Sequence, residues 1–315
     1  MRFSSGLATL STVALLATGC SAFSDSAADD GKTNVAAAFY PLAFVAERIS
    51  EGTDTEVDLL THPGTEPHDL ELDVSQTATI VNADLVVFES GFQPAVDDTV
   101  EQNAEGATLD VADVVDLLPV DESAAEHEEH ADEEEGEHEH DHGSVDPHFW
   151  QDPLRLADFG DAMADELAKI DGDDAETYRA NAAGLRKDLE ALDKAFSTGL
   201  ADCERDTIVV SHDAFGYLEK YGLHVASIVG LSPEAEPTAA VLGELQELIR
   251  TEGITTVFSE PLEPALGEDL ATDLDLTNGV LDPIEGLTAD APKGSDYLSL
   301  MDTNLATLVS ANGCR

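Results

Sequence analysis

A chain of 315 residues carries 67 acidic side chains against 14 lysines and arginines, a formal net charge of −53. With 42% hydrophobic and 26% charged residues it is neither a disordered polymer nor a fibre, and its length suits one large domain or two medium ones with proper cores. So negative a surface repels phosphate backbones, which argues against nucleic acid as a partner; it fits cation capture or a high-salt habitat, where screening relieves self-repulsion.

Residues 1–19 read as a signal peptide. Arg2 supplies the positive charge, and residues 7–17 are mostly apolar but well short of the roughly 20 residues a spanning helix needs. The run ends in Leu16-Ala17-Thr18-Gly19-Cys20, which resembles a bacterial lipobox with Thr-Gly as a variant small-residue pair. By that resemblance cleavage precedes Cys20 and Cys20 carries lipid; an ordinary signal peptide with an incidental cysteine is the alternative. Residues 20–32 are small and polar, as a tether would be.

Residues 34–39 read as a first strand, and Pro41 then opens a helix with Leu42, Phe44, Val45 and Ile49. Residues 55–60 form a second strand, followed by the loop Thr61-His62-Pro63-Gly64-Thr65-Glu66-Pro67-His68-Asp69. A short helix suits 75–82. Residues 84–88 make a buried strand without polar alternation, as parallel sheets require. Strand and helix alternate, which assigns 33–153 to an α/β lobe. Within it, 122–143 break the pattern: almost wholly Glu, Asp, His, Ala and Gly, they cannot build a core and read as a mobile loop.

From residue 154 the spacing turns helical. Leu156, Phe159, Met163, Leu167 and Ile170 recur every three or four residues; after Gly172 and Asp173 the spacing continues with Tyr178, Leu185, Leu189, Leu192 and Phe196. Residues 154–200 therefore read as a linking helical segment. A second α/β lobe, 201–315, opens with a strand at 207–210 ending at Ser211-His212-Asp213. A helix around 215–221, a strand at 224–229 and a helix at 238–251 follow. A strand at 254–258 ends at Ser259-Glu260-Pro261, a short one at 279–281 precedes Asp282-Pro283-Ile284-Glu285-Gly286, and a helix spans 296–309. Of three cysteines, Cys203 and Cys314 remain once Cys20 is set aside. An even pair in an exported chain favours a disulfide, two free thiols being the alternative.

The ten histidines divide evenly. His127, His130, His138, His140 and His142 lie in the acidic segment, among Glu128, Glu129, Glu137 and Glu139. That mixture suits weak, exchangeable binding of divalent cations; a plain solubilising segment would leave the histidines unexplained. His62 and His224 read as ordinary residues. His68, His148 and His212 share a context, beyond strand ends or where the loop meets the long helices, and open α/β sheets bind ligands in the crevice outside their strand ends. Neutral imidazole suits zinc, copper, nickel and iron, and a carboxylate as fourth donor completes a tetrahedral zinc site. Each histidine taken alone also fits a capping or exposed position. Asp69 and Asp213 directly follow two of them and are expected to cap helices or support the imidazoles. An ordinary histidine titration places the loss of metal affinity below about pH 6.5.

Taken together, Gly64-Thr65-Glu66-Pro67-His68-Asp69, the acidic His-rich loop, Asp146-Pro147-His148-Phe149-Trp150 and Ser211-His212-Asp213-Ala214-Phe215-Gly216-Tyr217-Leu218 resemble the zinc-binding components of bacterial ABC uptake transporters, the cluster A-I metal-binding substrate-binding proteins. The resemblance covers nearly the whole mature chain, in order. It implies two Rossmann-like α/β lobes joined by a long rigid backbone helix, with the metal in the interlobe cleft and His68, His148 and His212 as ligands. Manganese-binding relatives place a carboxylate where His212 stands, so histidine there favours Zn²⁺ over Mn²⁺. For the fourth ligand the resemblance favours Glu285 over Asp282, with Glu66 a further candidate; Glu260 is expected to support the site without ligating. It further implies capture of Zn²⁺ and delivery to an ABC permease and its ATPase, by a monomeric lipoprotein on the outer face of the cell membrane. The chain holds no His-Glu-x-x-His, Gly-x-Ser-x-Gly, phosphate loop or dinucleotide fingerprint, so no enzyme is expected. A zinc-dependent hydrolase and a metal-scavenging or adhesin-like surface lipoprotein are the alternatives.

Overall fold

The computed structural model describes residues 31–120 and 145–315. The expected signal peptide, Cys20, all but the end of the tether, and His127, His130, His138, His140 and His142 lie outside the described residues.

Strand β1 (Thr33–Ala37) and β3 (Leu85–Phe88) are almost wholly buried, while β2 (Thr55–Leu59) alternates between half-buried and exposed. The difference follows from their places in a four-stranded parallel sheet of order β2-β1-β3-β4, with β4 at Ala107–Asp110. Strands covered on both faces must be apolar throughout; edge strands need not be. Helix α1 (Tyr40–Ile49) has proline in its first turn and buries Leu42, Phe44, Val45 and Ile49. Helix α2 (Val74–Asn82) starts with a capping box between Asp73 and Gln76. Helix α3 (Pro94–Asn103) and β4 were not evident in the sequence, because α3 buries only Val96 and Val100 and β4 only Leu109. Gly106 admits β4 to the sheet: a Cβ there would meet the Ala83 carbonyl oxygen at 2.2 Å.

After the single turn α4 (Val111–Val114), the two-residue strands β5 (Leu118–Pro119) and β6 (Val145–Asp146) pair antiparallel, with Leu118 opposite Asp146. A 3-10 turn, Phe149–Gln151, leads into helix α5 (Pro153–Ile170), whose first turn is capped by the Asp152 carboxylate accepting from Leu154 N at 2.9 Å. Helix α6 (Ala175–Gly199) packs along α5. The lobes are thus joined by long helices, and the break between them falls where Gly172 and Asp173 interrupt the apolar stripe. The inward rows are the expected ones: Leu156, Phe159, Met163 and Leu167 on α5, and Tyr178, Leu185, Leu189, Leu192 and Phe196 on α6.

The second lobe repeats the logic of the first. Strands β7 (Thr207–Val210), β8 (His224–Ser227), β9 (Thr256–Ser259) and β10 (Thr277–Val280) form a parallel sheet of order β10-β9-β7-β8, and β7 and β9 are fully buried. Residues Gly216–Tyr221 adopt a 3-10 turn rather than the expected helix, stopped by Gly222 at φ 89°. Helix α7 (Ala239–Glu252) is capped by Thr238, α8 (Ala265–Asp273) follows β9, and α9 (Tyr297–Asn312) ends the fold against α6 and β10. Helix α8 escaped sequence reading because only Gly267, Leu270 and Ala271 of its nine residues are buried. The Cys203–Cys314 disulfide ties the chain end to the segment before β7 across 111 residues. Closing so long a loop stabilises the fold by about 4–5 kcal/mol in the chain-entropy account. Among the described residues no helix is long and apolar enough to cross a membrane.

Candidate metal centre

Three segments bring histidines to one point between the lobes. His68 hangs on the loop after β2. That loop is pinned from beneath by Gln93, whose Nε2 donates to the Pro67 carbonyl at 2.9 Å and to Thr61 Oγ1 at 3.0 Å. His148 follows β6 and opens the 3-10 turn; His212 follows the buried strand β7. Ring centroids lie 5.6 Å apart for His68 and His148, 5.8 Å for His68 and His212, and 5.3 Å for His148 and His212. Glu285 reaches the same point after β10. Its Oε1 stands 3.0 Å from His212 Nε2, 3.2 Å from His148 Nε2 and 3.6 Å from His68 Nε2. One ligand atom from each of the four residues falls within 4.8 Å of the others, and His148, His212 and Glu285 are buried.

The far side of each ring decides how it is held. Asp146 Oδ1 lies 2.8 Å from His148 Nδ1 and also accepts from the His148 backbone N–H. Both oxygens of Glu260 lie 2.8 Å from His212 Nδ1. A carboxylate at Nδ1 keeps the proton there, turns the Nε2 lone pair inward and raises the ring's basicity. Among the described residues His68 has no such partner; its ring stands edge-on to Phe92, centroids 4.6 Å apart. The Nε2 atoms of His68 and His148 are buried without a hydrogen-bond partner, both turned toward the Glu285 carboxylate.

Charge follows geometry. Burial lowers the His68 pKa, and the neighbouring rings lower it further against the pull of Glu285. For His148 burial acts downward too, but the hydrogen bond to Asp146 and the nearby Glu285 carboxylate outweigh it and hold the ring at about 9. His212 is raised well above the usual range by Glu285 and Glu260 against its burial. Glu285 is held well below the carboxylate range: burial opposes ionisation and the surrounding imidazoles overcome it. The cluster is thus an ionised glutamate beside one imidazole pushed toward the neutral form and two pushed toward the protonated form.

The other candidates fall elsewhere. Glu66 accepts from the His68 backbone N–H at 3.0 Å, and burial together with Glu285 pushes its carboxyl up to about 8. Asp282 accepts from Ile284 N at 2.8 Å and shapes the turn that carries Glu285. Neither joins the converging four. His62 and His224 are exposed. Asp69 is exposed and Asp213 lies beside the site without bonding His212, so these neighbours do not support the imidazoles; Asp146 stands behind His148, and Glu260, the residue expected to support the site without ligating, stands behind His212. Asp146, two residues before His148, was visible in the sequence, and its spacing was the missed signal. Glu89 is a further surprise. It lies just past β3 at 2% exposure with neither carboxylate oxygen hydrogen-bonded, and burial followed by Asp146, Asp110 and Asp97 pushes its carboxyl well above the usual range.

Residues 35–311 match the model of the family described as zinc-uptake complex component A, periplasmic, or ZnuA. The chain belongs to the ZnuA family. The zinc-binding lipoprotein AdcA of Streptococcus pneumoniae TIGR4 is 36% identical over 305 residues, covering 93% of this chain and 59% of AdcA. This chain therefore spans about three fifths of that relative's length. The high-affinity zinc uptake system protein ZnuA of Bacillus subtilis 168 is 32% identical over 314 residues, 96% of each chain. The crystal structure of the Zn(II)-bound ZnuA-like domain of S. pneumoniae AdcA superimposes with TM-score 0.72 at 32% identity, covering 90% of this chain and 99% of that one. The ZnuA-family fold of two α/β lobes and long joining helices is thus common to this chain and a zinc-bound relative.

Proposed function

We propose that this ZnuA-family chain captures Zn²⁺ outside the cytoplasm and hands it to an ABC permease and its ATPase. The observation that carries the reading is the buried convergence of His68, His148, His212 and Glu285, with ligand atoms within 4.8 Å of one another. Three imidazoles and one carboxylate meet the tetrahedral preference of Zn²⁺, whereas Mn²⁺ prefers oxygen donors. Four protein donors leave no open position for an activated water, which speaks against hydrolysis. Relatives that carry the printed names zinc-binding lipoprotein and high-affinity zinc uptake system protein support the same reading. In it Zn²⁺ is cargo, Glu285 rather than Asp282 or Glu66 is the fourth ligand, and Cys20 anchors a monomer to the outer face of the cell membrane. His127, His130, His138, His140 and His142 would gather cations weakly without forming the tight site.

The test is a competitive zinc titration against a chelator, on the chain from Ser21 onward, with and without residues 122–143. The expected result is one tight zinc per chain that survives removal of the segment. Absence of a tight site, or its loss with the segment, contradicts the reading.

A further inference from the structure

Glu285 owes its aim to an unusual piece of backbone. Only two non-glycine residues among those described have positive φ, Asp275 at 56° and Ile284 at 60°. Aspartate visits the left-handed region readily; a β-branched residue does not. Ile284 is fully buried and immediately precedes Glu285. Gly286, one residue beyond the ligand, would adopt such a backbone at no steric cost, yet the left-handed turn falls on the isoleucine.

The turn is held from three directions. The Pro283 carbonyl accepts from Trp150 Nε1 at 2.7 Å and from Gln151 Nε2 at 2.5 Å. The Asn304 side chain brackets Asp282, accepting from its N–H at 2.9 Å and donating to its carbonyl at 2.7 Å. The Ile284 N–H donates to Asp282 Oδ1. A strained residue persists only when its surroundings over-determine it, as these bonds do.

We propose that Ile284 is a positioning residue: its left-handed backbone aims the Glu285 carboxylate at the three imidazoles, and relief of that strain as the turn yields sets the rate at which Zn²⁺ leaves. The inference rests on the zinc-capture reading above. Trp150 and Gln151 belong to the segment that carries His148, so the same clamp that holds Pro283 couples Glu285 to a second ligand. Loosening of this segment withdraws a ligand from the metal and releases the strain in one movement.

Ile284→Ala and Ile284→Gly remove nearly the same side-chain volume and differ chiefly in the cost of positive φ. Stopped-flow transfer of Zn²⁺ from the loaded chain to a chelating dye reads the release rate. Ile284→Gly is expected to release zinc about five- to tenfold more slowly than Ile284→Ala, with matching association rates, and Ile284→Val to stay within about twofold of the parent. Equal release from the glycine and alanine variants, in a parent chain that binds zinc tightly, overturns the inference alone. A parent chain that binds no zinc overturns the functional reading and this inference with it. Should the cavity variants fail to fold, Gln151→Met removes one donor to Pro283 at almost constant shape. It is expected to speed release about fivefold, and an unchanged rate is equally fatal.

Discussion

His68 and the pair His148 and His212 converge on one point, and their surroundings prepare them in opposite ways. His68 sits on a loop, edge-on to Phe92, and burial keeps it neutral. His148 and His212 are fully buried, each against a carboxylate that turns its Nε2 toward Glu285 and holds a proton on the ring. On the zinc-capture reading, metal would therefore add directly at one ring and displace protons at the other two. The comparison teaches that a histidine's value as a ligand is set from behind, by what stands at Nδ1.

The largest expected effect breaks the carboxylate-backed side outright. His212→Ala removes one of the four converging donors and, on the zinc-capture reading, should weaken zinc binding about 100- to 1,000-fold, read by chelator competition. Next come the supporting carboxylates. Glu260→Gln and Asp146→Asn keep shape but lose charge, and each should cost about 10- to 100-fold in affinity. Glu66→Gln, whose hydrogen bond is to the backbone of His68 and not to a ring, should stay within about threefold. Equal effects from all three would erase the distinction between the two sides.

Proton exchange sharpens the comparison. A group whose metal-free pKa is raised must lose its proton to bind, so affinity falls as pH drops through that value. With His148 held at about 9, the loss begins near pH 9 rather than at the pH of about 6.5 expected of an ordinary histidine. Calorimetry at pH 7 in buffers of different ionisation enthalpy should find at least one proton released per zinc, and fewer after His148→Ala.

The smallest effect lies behind the site. Glu89 has a folded-state pKa raised above its unfolded value, so the folded chain binds more protons than the unfolded one and Glu89 erodes stability as pH rises above the carboxylate range. Glu89→Gln should raise the melting temperature by a few degrees at pH 8 and leave it unchanged at pH 4. The opposite trend would mean that Glu89 is ionised and paired in the folded chain.

Legibility in the sequence was greatest where burial is complete. Strands β1, β3 and β7 were readable because both faces of each are covered and few polar residues interrupt them, and α5 and α6 because their apolar rows run for many turns. Helices α3 and α8 and strand β4 bury one to three residues each and escaped the reading, whereas α2 and α7, with two buried residues each, were read, so sparse burial makes an element hard to see without hiding it outright. His68, His148 and His212 stood out because they fall past strand ends in distinctive contexts. Their supporting groups were harder, since the residue next to a ligand in the chain points away from it on a turn. Asp69 and Asp213 were plausible by adjacency and Asp146 was missed; Glu260, 48 residues from His212 and just past a neighbouring strand, was named only through the family resemblance. The left-handed backbone at Ile284 left no mark in the sequence, because isoleucine is the residue least suited to it.

The most direct test of the central claim is X-ray absorption at the zinc edge of the loaded chain, beside His212→Ala. The account predicts a four-donor shell of three imidazole nitrogens at about 2.0–2.1 Å and one carboxylate oxygen at about 2.0–2.2 Å, with one imidazole missing from the variant. A shell dominated by water and carboxylate oxygen, or one unchanged by His212→Ala, would contradict it.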